Sequence, residues 1–315
     1  MPEITTTEDR EPRGIPKYAW IIFTILAVFV YFFALTLPFL GPDEARYAEV
    51  GREMLLRGDW ITPTLGGFTW FEKPALLYWL EIVSYKIFGV NEFAARFGPA
   101  LFGLGTVASL WILGRSLATE NTESTEKSKG SDPSESVSES SVPSVANPFA
   151  DYLALIAAST LGIIVFSRAA SFDIIITFPI TAALVSFFIW HSANEDLTGP
   201  QRPRVSASLF SFYFFVGISL LAKGLIGMVF PFAIVGFFYV LSRRLPSRTF
   251  LISVAWGTLL AIAVAATWYL PMYERHGYQF IDEFIIQQHF QRFTSNKYQH
   301  PQPFYFFLWV LPLMT

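Results

Sequence analysis

The chain reads as an all-α, polytopic transmembrane protein with interfacial helices on its outer face. Three observations predict this class. Hydrophobic residues make up 53% of the 315 positions and charged residues only 15%, against roughly 25% charged in a soluble globular domain. Several windows stay apolar for about twenty residues, the length of helix that crosses a bilayer. The segments that carry Arg10, Arg13 and Lys17, Arg115, Arg202 and Arg204, and Arg243, Arg244 and Arg248 fall on one side when the spans alternate, as the positive-inside rule requires.

The candidate spans follow in order. The first, 17–38, comes after Arg10, Arg13 and Lys17, which keep the 1–16 tail inside. It is too long for the apolar region of a signal peptide and is followed by Pro38 and Phe39 rather than a small-residue cleavage site. Further spans are 94–115, 149–167, 174–191, 207–222, 225–241 and 250–271. Arg115, the pair Arg202 and Arg204, and the trio Arg243, Arg244 and Arg248 then share the inner side with the N-terminus. An apolar run starting at Phe304 is too short to cross about 30 Å of hydrocarbon; it is expected to be either re-entrant or, the favoured reading, the start of a span in a C-terminally truncated form of a longer protein.

The loops divide into two kinds. Residues 118–148 are rich in Ser, Glu, Thr and Pro; too little apolar surface is present to offset the entropy of ordering, which predicts a disordered inner loop. The outer loop 39–93 is different. Glu44–Leu56 and the aromatic stretch Ala75–Phe88 read as helices lying along the membrane surface, with a turn at Gly66-Gly67. The domain plan is thus an inner tail (1–16), two spans with an outer catalytic loop (17–117, loop 39–93), the inner loop, and the remaining spans (149–315) with a second outer loop at 272–303.

The alternating topology gathers isolated charges on the outer face, where an unexplained ionisable group near membrane depth is a functional candidate. Asp43 and Glu44 lie just beyond the first span. Either carboxylate suits a general base or an oxygen ligand to a divalent cation, although Asp43 after Pro42 also suits a helix cap. Glu72 and Lys73 precede Pro74; the lysine is a compact charge suited to phosphate, or a snorkelling side chain paired with Glu72. Arg168 and Asp173 flank the third and fourth spans, where they suit an anchor and a cap equally well. Lys223 separates two spans with almost no loop, and His289 and Arg292 stand three apart, a spacing that shares one helix face. The spacing of His276, His289 and His300 fits no tight zinc pattern.

Other classes drop out. No cysteine is present, which excludes disulfides and thiolate metal sites. No basic face for nucleic acid is visible, and a net charge of −3 names no partner.

Pro42-Asp43-Glu44-Ala45-Arg46-Tyr47-Ala48-Glu49 and Phe71-Glu72-Lys73-Pro74 through Trp79 resemble the lipid A aminoarabinose transferases. These group with the dolichyl-phosphate-mannose protein mannosyltransferases in the GT-C superfamily of membrane glycosyltransferases. Ser167–Asp173, Leu221–Gly224 and Phe280–Phe293 are also similar to that family. The resemblance implies a sugar donor on a polyprenyl phosphate, a lipid or other envelope acceptor, and transfer at the outer face of the cell inner (plasma) membrane. It implies Asp43 as the catalytic acid after the first span, Asp173 as the second acid, and Lys73 as a donor-phosphate contact. Arg46 and Glu44 lie within the first motif; Lys223, Arg168 and Arg292 are further phosphate contacts, with Glu72 and His289 as neighbouring candidates. A divalent cation is left open, and the metal, if any, is unknown.

Two other classes use the same charges differently. A transporter or flippase of lipid-linked sugars needs a site near the midplane, whereas these motifs crowd one face. A non-catalytic scaffold of the same fold predicts that neutralising Asp43 costs nothing.

Overall fold

In a computed structural model, residues 17–129, 148–195 and 202–291 are described, with isolated positions between 305 and 312. Arg292 and the apolar run from Phe304 fall outside these, apart from those few positions. The fold is helical. Among the described residues ten α-helices follow in order: α1 (Lys17–Phe32), α2 (Pro42–Arg57), α3 (Leu76–Phe88), α4 (Glu92–Lys129), α5 (Pro148–Ser159), α6 (Leu161–Ser167), α7 (Phe172–Glu195), α8 (Arg202–Lys223), α9 (Ile226–Leu241) and α10 (Arg248–Phe280). A π-helical stretch, Ile281–Gln291, closes the described chain. Between α2 and α3 a small hairpin, β1 (Thr64–Leu65) on β2 (Phe68–Thr69), turns at Gly66 and Gly67. Both glycines have positive φ, which the two-residue turn of a twisted hairpin requires.

Helices α4, α7 and the joined α10 and π-helical stretch are long and apolar enough to cross a membrane; α5 and α6 reach that length only together, with a bend of 57° between them. The apolar parts of α1, α8 and α9 are shorter. Large side chains such as Ile21, Ile25, Phe237 and Leu259 stand exposed along α1, α9 and α10, surface that lipid covers. This is a multi-pass membrane fold.

The boundaries differ from expectation in three places. Helix α1 stops at Phe32, short of 38, because Ala34 takes a positive φ and Pro38 follows. Helix α4 runs on to Lys129, where a disordered loop is expected from 118. Once the apolar span has nucleated the helix, each added residue gains a backbone hydrogen bond. The rest of that loop, 130–147, lies outside the described residues. Finally, α10 breaks at Gly277, whose φ of 56° and ψ of −134° are non-helical.

The predicted surface helices are present and are fastened to the bundle. Helix α2 begins with Pro42 after Gly41 and ends at Gly58 in the left-handed region. Its buried face (Tyr47, Val50, Met54) joins Leu77, Tyr78 and Ile82 of α3 with Phe172, Leu221, Trp268, Phe280 and Phe284 in one core. The loop between α2 and α3 is tied to α10: the Trp268 indole donates to the Ile61 carbonyl at 2.8 Å, and Arg275 pairs with Asp59 at 2.8 Å. A second core at the opposite end joins Phe187, Trp190, Phe212, Tyr239 and Phe250.

Candidate active site

Under α2 and α3 the chain brings most of the predicted charges together. Asp43 lies in the first turn of α2, where a helix N-terminus favours negative charge. It does not cap the helix; Gly41 holds that position. Its carboxylate is 65% exposed and pairs with Arg46 one turn on. The Arg46 guanidinium lies over the rings of Tyr47 and Trp70 at 5.6 Å each. Burial, and then the nearby Glu72 and Asp43 carboxylates, push the Tyr47 phenol up, while Arg46 opposes them. Glu72 therefore faces the same place. It pairs with Lys73 at 3.2 Å, and this lysine is only 12% exposed. Lys73 in turn lies within electrostatic range of the His289 ring.

The circuit closes through α7 and α8. His289 accepts the Leu225 N–H at 3.2 Å, immediately after Lys223-Gly224. Lys223 donates to Asp173, at the start of α7, at 2.6 Å. Gly224 has a φ of +77°, and a Cβ there would overlap the His289 ring, so this chain reversal needs glycine. Two acids, Asp43 and Asp173, are thus held in partly exposed ion pairs at one end of the bundle. Such pairs are individually weak and exchange readily for a ligand of matching charge. Around them, Arg46 Nε, the Trp70 indole N–H, the Tyr78 hydroxyl, the Ser171 hydroxyl and the Gln288 carbonyl are buried without hydrogen-bond partners. Native proteins leave few such atoms unpaired.

The profile of the family described as dolichyl-phosphate-mannose-protein mannosyltransferase matches residues 21–122 and 145–279. The chain belongs to this mannosyltransferase family. Among curated relatives, the undecaprenyl phosphate-alpha-4-amino-4-deoxy-L-arabinose arabinosyl transferase of Aeromonas salmonicida is 30% identical over 288 residues, covering 89% of this chain and 45% of its own. A namesake from Proteus mirabilis is 26% identical, covering 93% and 47%. The crystal structure of ArnT from Cupriavidus metallidurans bound to undecaprenyl phosphate superposes with a TM-score of 0.71 at 22% identity, over 94% of this chain and 48% of that one. Its apo form gives 0.73. The fold is therefore that of ArnT, and the chain spans about half the length of these relatives.

Within this family fold, three predicted site residues have other work. Glu44 is no free acid. It is buried and accepts Arg96 Nε and Nη2 at 2.9 and 3.0 Å, the Leu40 N–H at 2.9 Å and the Ala170 N–H at 2.9 Å. Burial works against its charge, but Arg96 and the two N–H groups hold the Glu44 carboxyl below the usual range. Arg168 donates to the Phe33 carbonyl at 2.8 Å and so closes the end of α1. His289 uses both ring nitrogens, Nε2 on Leu225 and Nδ1 donating to the Phe284 carbonyl at 2.8 Å, which leaves neither for an anion or a metal.

Arg96 was legible only in part. It stands near the start of the second span, an isolated charge in an apolar window, the same signal that marks Lys223. Its reach to the Leu35, Leu37 and Pro38 carbonyls depends on the turn after α1 and is not visible in sequence. Glu81 is the second group that sequence reasoning missed. It is fully buried in α3, has no hydrogen-bond partner, and fills a notch at Gly51. Burial pushes its carboxyl well up, so the folded protein holds it neutral.

Glu81 gives a test with a definite sign. The unfolded chain releases its proton near the ordinary value of about 4.3, while the folded chain keeps it. Stability should therefore fall with rising pH above that value, by about 1.4 kcal/mol per pH unit from this group. Glu81→Gln keeps the shape and removes the proton. Its thermal midpoint relative to the wild type should rise between pH 5 and pH 8; a difference that does not change with pH would remove the neutral-carboxyl assignment.

Among the described residues no group of three or more His, Asp or Glu side chains converges, and Asp43 and Asp173 each face a base. No step is assigned to a metal.

Proposed function

We propose that the chain is part of an inverting glycosyltransferase. It moves a sugar from a polyprenyl-phosphate donor to a lipid or other envelope acceptor, on the outer face of the inner (plasma) membrane. The observation that carries this reading is the circuit Asp43–Arg46, Glu72–Lys73 and Lys223–Asp173 at one end of a membrane bundle of the mannosyltransferase family. Relatives named for undecaprenyl-phosphate aminoarabinose transfer support the donor class.

The chemistry follows from the charges. An acceptor hydroxyl attacks the anomeric carbon as the bond from that carbon to the phosphate oxygen breaks. The bonding pair leaves with the phosphate, whose charge rises from one to two. Lys73, Arg46 and Lys223 lie where cations stabilise that growing charge. Asp43, the most open acid of the circuit, accepts the hydroxyl proton. Asp173 holds Lys223 until phosphate takes its place. Attack opposite the leaving group inverts the anomeric centre. The unpaired indole, hydroxyl and amide groups around the circuit offer hydrogen bonds to sugar hydroxyls or bound water.

Crowding of these groups at one end favours an enzyme over a flippase, which needs a midplane site open to each side in turn. Lys73→Ala should lower both donor affinity and turnover, because it removes a contact that strengthens as charge builds on the phosphate. The check is kcat and KM for a polyprenyl-phosphate sugar. A raised KM at unchanged kcat would reduce Lys73 to simple binding, and unchanged values would remove it from the site.

A further inference from the structure

Helices α2 and α3 meet along a seam with one unusual member. Tyr78, Glu81 and Tyr85 of α3 stand at spacings that share a helix face. The Tyr85 hydroxyl donates to the Ala48 carbonyl of α2 at 3.1 Å. One turn back, Glu81 is wholly buried, and neither of its carboxyl oxygens has a hydrogen-bond partner among the described residues. Its side chain takes the place that a Cβ of Gly51 would need: such a Cβ would stand 2.3 Å from Glu81 Oε2 and 3.0 Å from Glu81 Cβ. An unpaired polar group in a core works against folding, and an apolar residue of similar size would avoid that penalty. Broken rules of this kind are expected at functional sites. Helix α2 connects Glu81 to one, since Asp43 and Arg46 ride on the same helix, Asp43 about 12 Å along the axis from Gly51. A second link runs through Phe172. Tyr47, which lies under the Arg46 guanidinium, and Tyr78 both pack edge-on against that ring, at 4.9 and 5.4 Å.

We propose that Glu81 is a positioning residue for the transfer reaction: its contact with Gly51 sets how closely α2 seats on α3, and so where Asp43 and Arg46 stand. This role rests on the transfer reading of the charged circuit. Helix α2 is continuous from Pro42 to Arg57, so a displacement at Gly51 is carried to Asp43. A methyl group at Gly51 would fall about 1 Å short of an ordinary contact of about 3.5 Å, and a reacting group misplaced by that amount loses about 10²-fold in rate. Arg46 moves with α2, but Lys73 and Lys223 lie off it and keep their place at the donor phosphate. Moving α2 therefore acts on turnover more than on donor affinity.

A double-mutant cycle with two readouts tests this. Transfer from a polyprenyl-phosphate sugar gives kcat and KM. Because the chain has no cysteine, Leu56→Cys on α2 and Ile87→Cys on α3, both exposed, take spin labels whose separation reports the seat of α2. Gly51→Ala should lower kcat about 10²-fold with a donor KM within about three-fold of the wild type, and should shift the label separation by about 1 Å. Glu81→Gln keeps the shape and should leave both readouts near the wild type. Adding Glu81→Ala to Gly51→Ala removes the atom in the way, and should restore the label separation and recover at least about ten-fold in kcat. An unchanged kcat in Gly51→Ala, a double variant no better than the single one, or a loss of turnover in Glu81→Gln at unchanged label separation would overturn the role. Should Gly51→Ala not fold, Glu81→Ala alone decides: a loosened seat predicts turnover down about ten-fold at unchanged KM, and unchanged turnover overturns it. A wild type that transfers no sugar overturns the transfer reading instead, and the label separations then decide by themselves whether Glu81 seats α2.

Discussion

Asp43→Asn is expected to lower sugar transfer by about 10²–10⁴-fold, the usual contribution of a positioned general base, and to leave the fold intact. The two halves of that expectation have separate causes. Asparagine matches the carboxylate in shape but cannot accept the acceptor's proton, so the loss falls on turnover. Stability changes little because the Asp43 side chain is 65% exposed and its partner Arg46 also packs on Tyr47 and Trp70; an exposed ion pair of this kind contributes about 0–1 kcal/mol. Initial rates together with a thermal midpoint measure both halves. A variant with near-normal turnover would take the base role away from Asp43. A variant that fails to fold would make Asp43 structural.

The opposite pattern is expected one residue along. Arg96→Met leaves the Glu44 carboxylate buried beside an apolar group and frees the Leu35, Leu37 and Pro38 carbonyls. Breaking a buried pair from one side costs about 3–5 kcal/mol, the largest stability loss expected from any single change here. The pair joins the turn after α1, the start of α2, the start of α4 and the turn before α7 through Ala170, and so fixes where Asp43 projects. The pH dependence has a definite sign. The folded Glu44 carboxyl sits below its usual range, so its stabilisation is fully present above the unfolded value. It is lost as pH falls through the lowered folded value. Thermal unfolding in acid should therefore show a loss in the wild type that is missing from the Arg96 variant, which is already weak at neutral pH. An Arg96→Met protein with an unchanged midpoint would contradict the clamp.

The contrast between Asp43 and Glu44 shows what sequence can and cannot resolve. Both are acids at the mouth of the first span, and nothing in the motif separates them. The α2 helix does: with Pro42 at its start, neighbouring side chains point about 100° apart, so one reaches the open face and the other turns into the bundle. Lys223 and Asp173 stand out in the sequence as isolated charges at the ends of apolar spans, and the structure pairs them with each other. Arg168 and His289 met the same criterion, yet their work is to satisfy backbone groups at Phe33, Leu225 and Phe284. Those partners lie far along the chain or depend on a local turn, and single-sequence patterns carry neither. Glu81 was hidden for a related reason. In an apolar, aromatic surface helix it reads as the solvent-facing charge, and only the Gly51 notch of α2 makes room to bury it. The helices themselves were easier, since their apolar length is a local property. Their ends were harder, as the early stop of α1 and the extension of α4 illustrate.

The central claim is that the charged circuit transfers a sugar and does not carry it across the bilayer. The protein in lipid vesicles, supplied with a polyprenyl-phosphate sugar and a hydroxyl acceptor, tests this most directly through the release of polyprenyl phosphate and the anomeric configuration of the product. The account predicts release that requires the acceptor, a product of inverted configuration, and loss of both with Asp43→Asn. Movement of intact donor between leaflets without any acceptor-dependent release would contradict it.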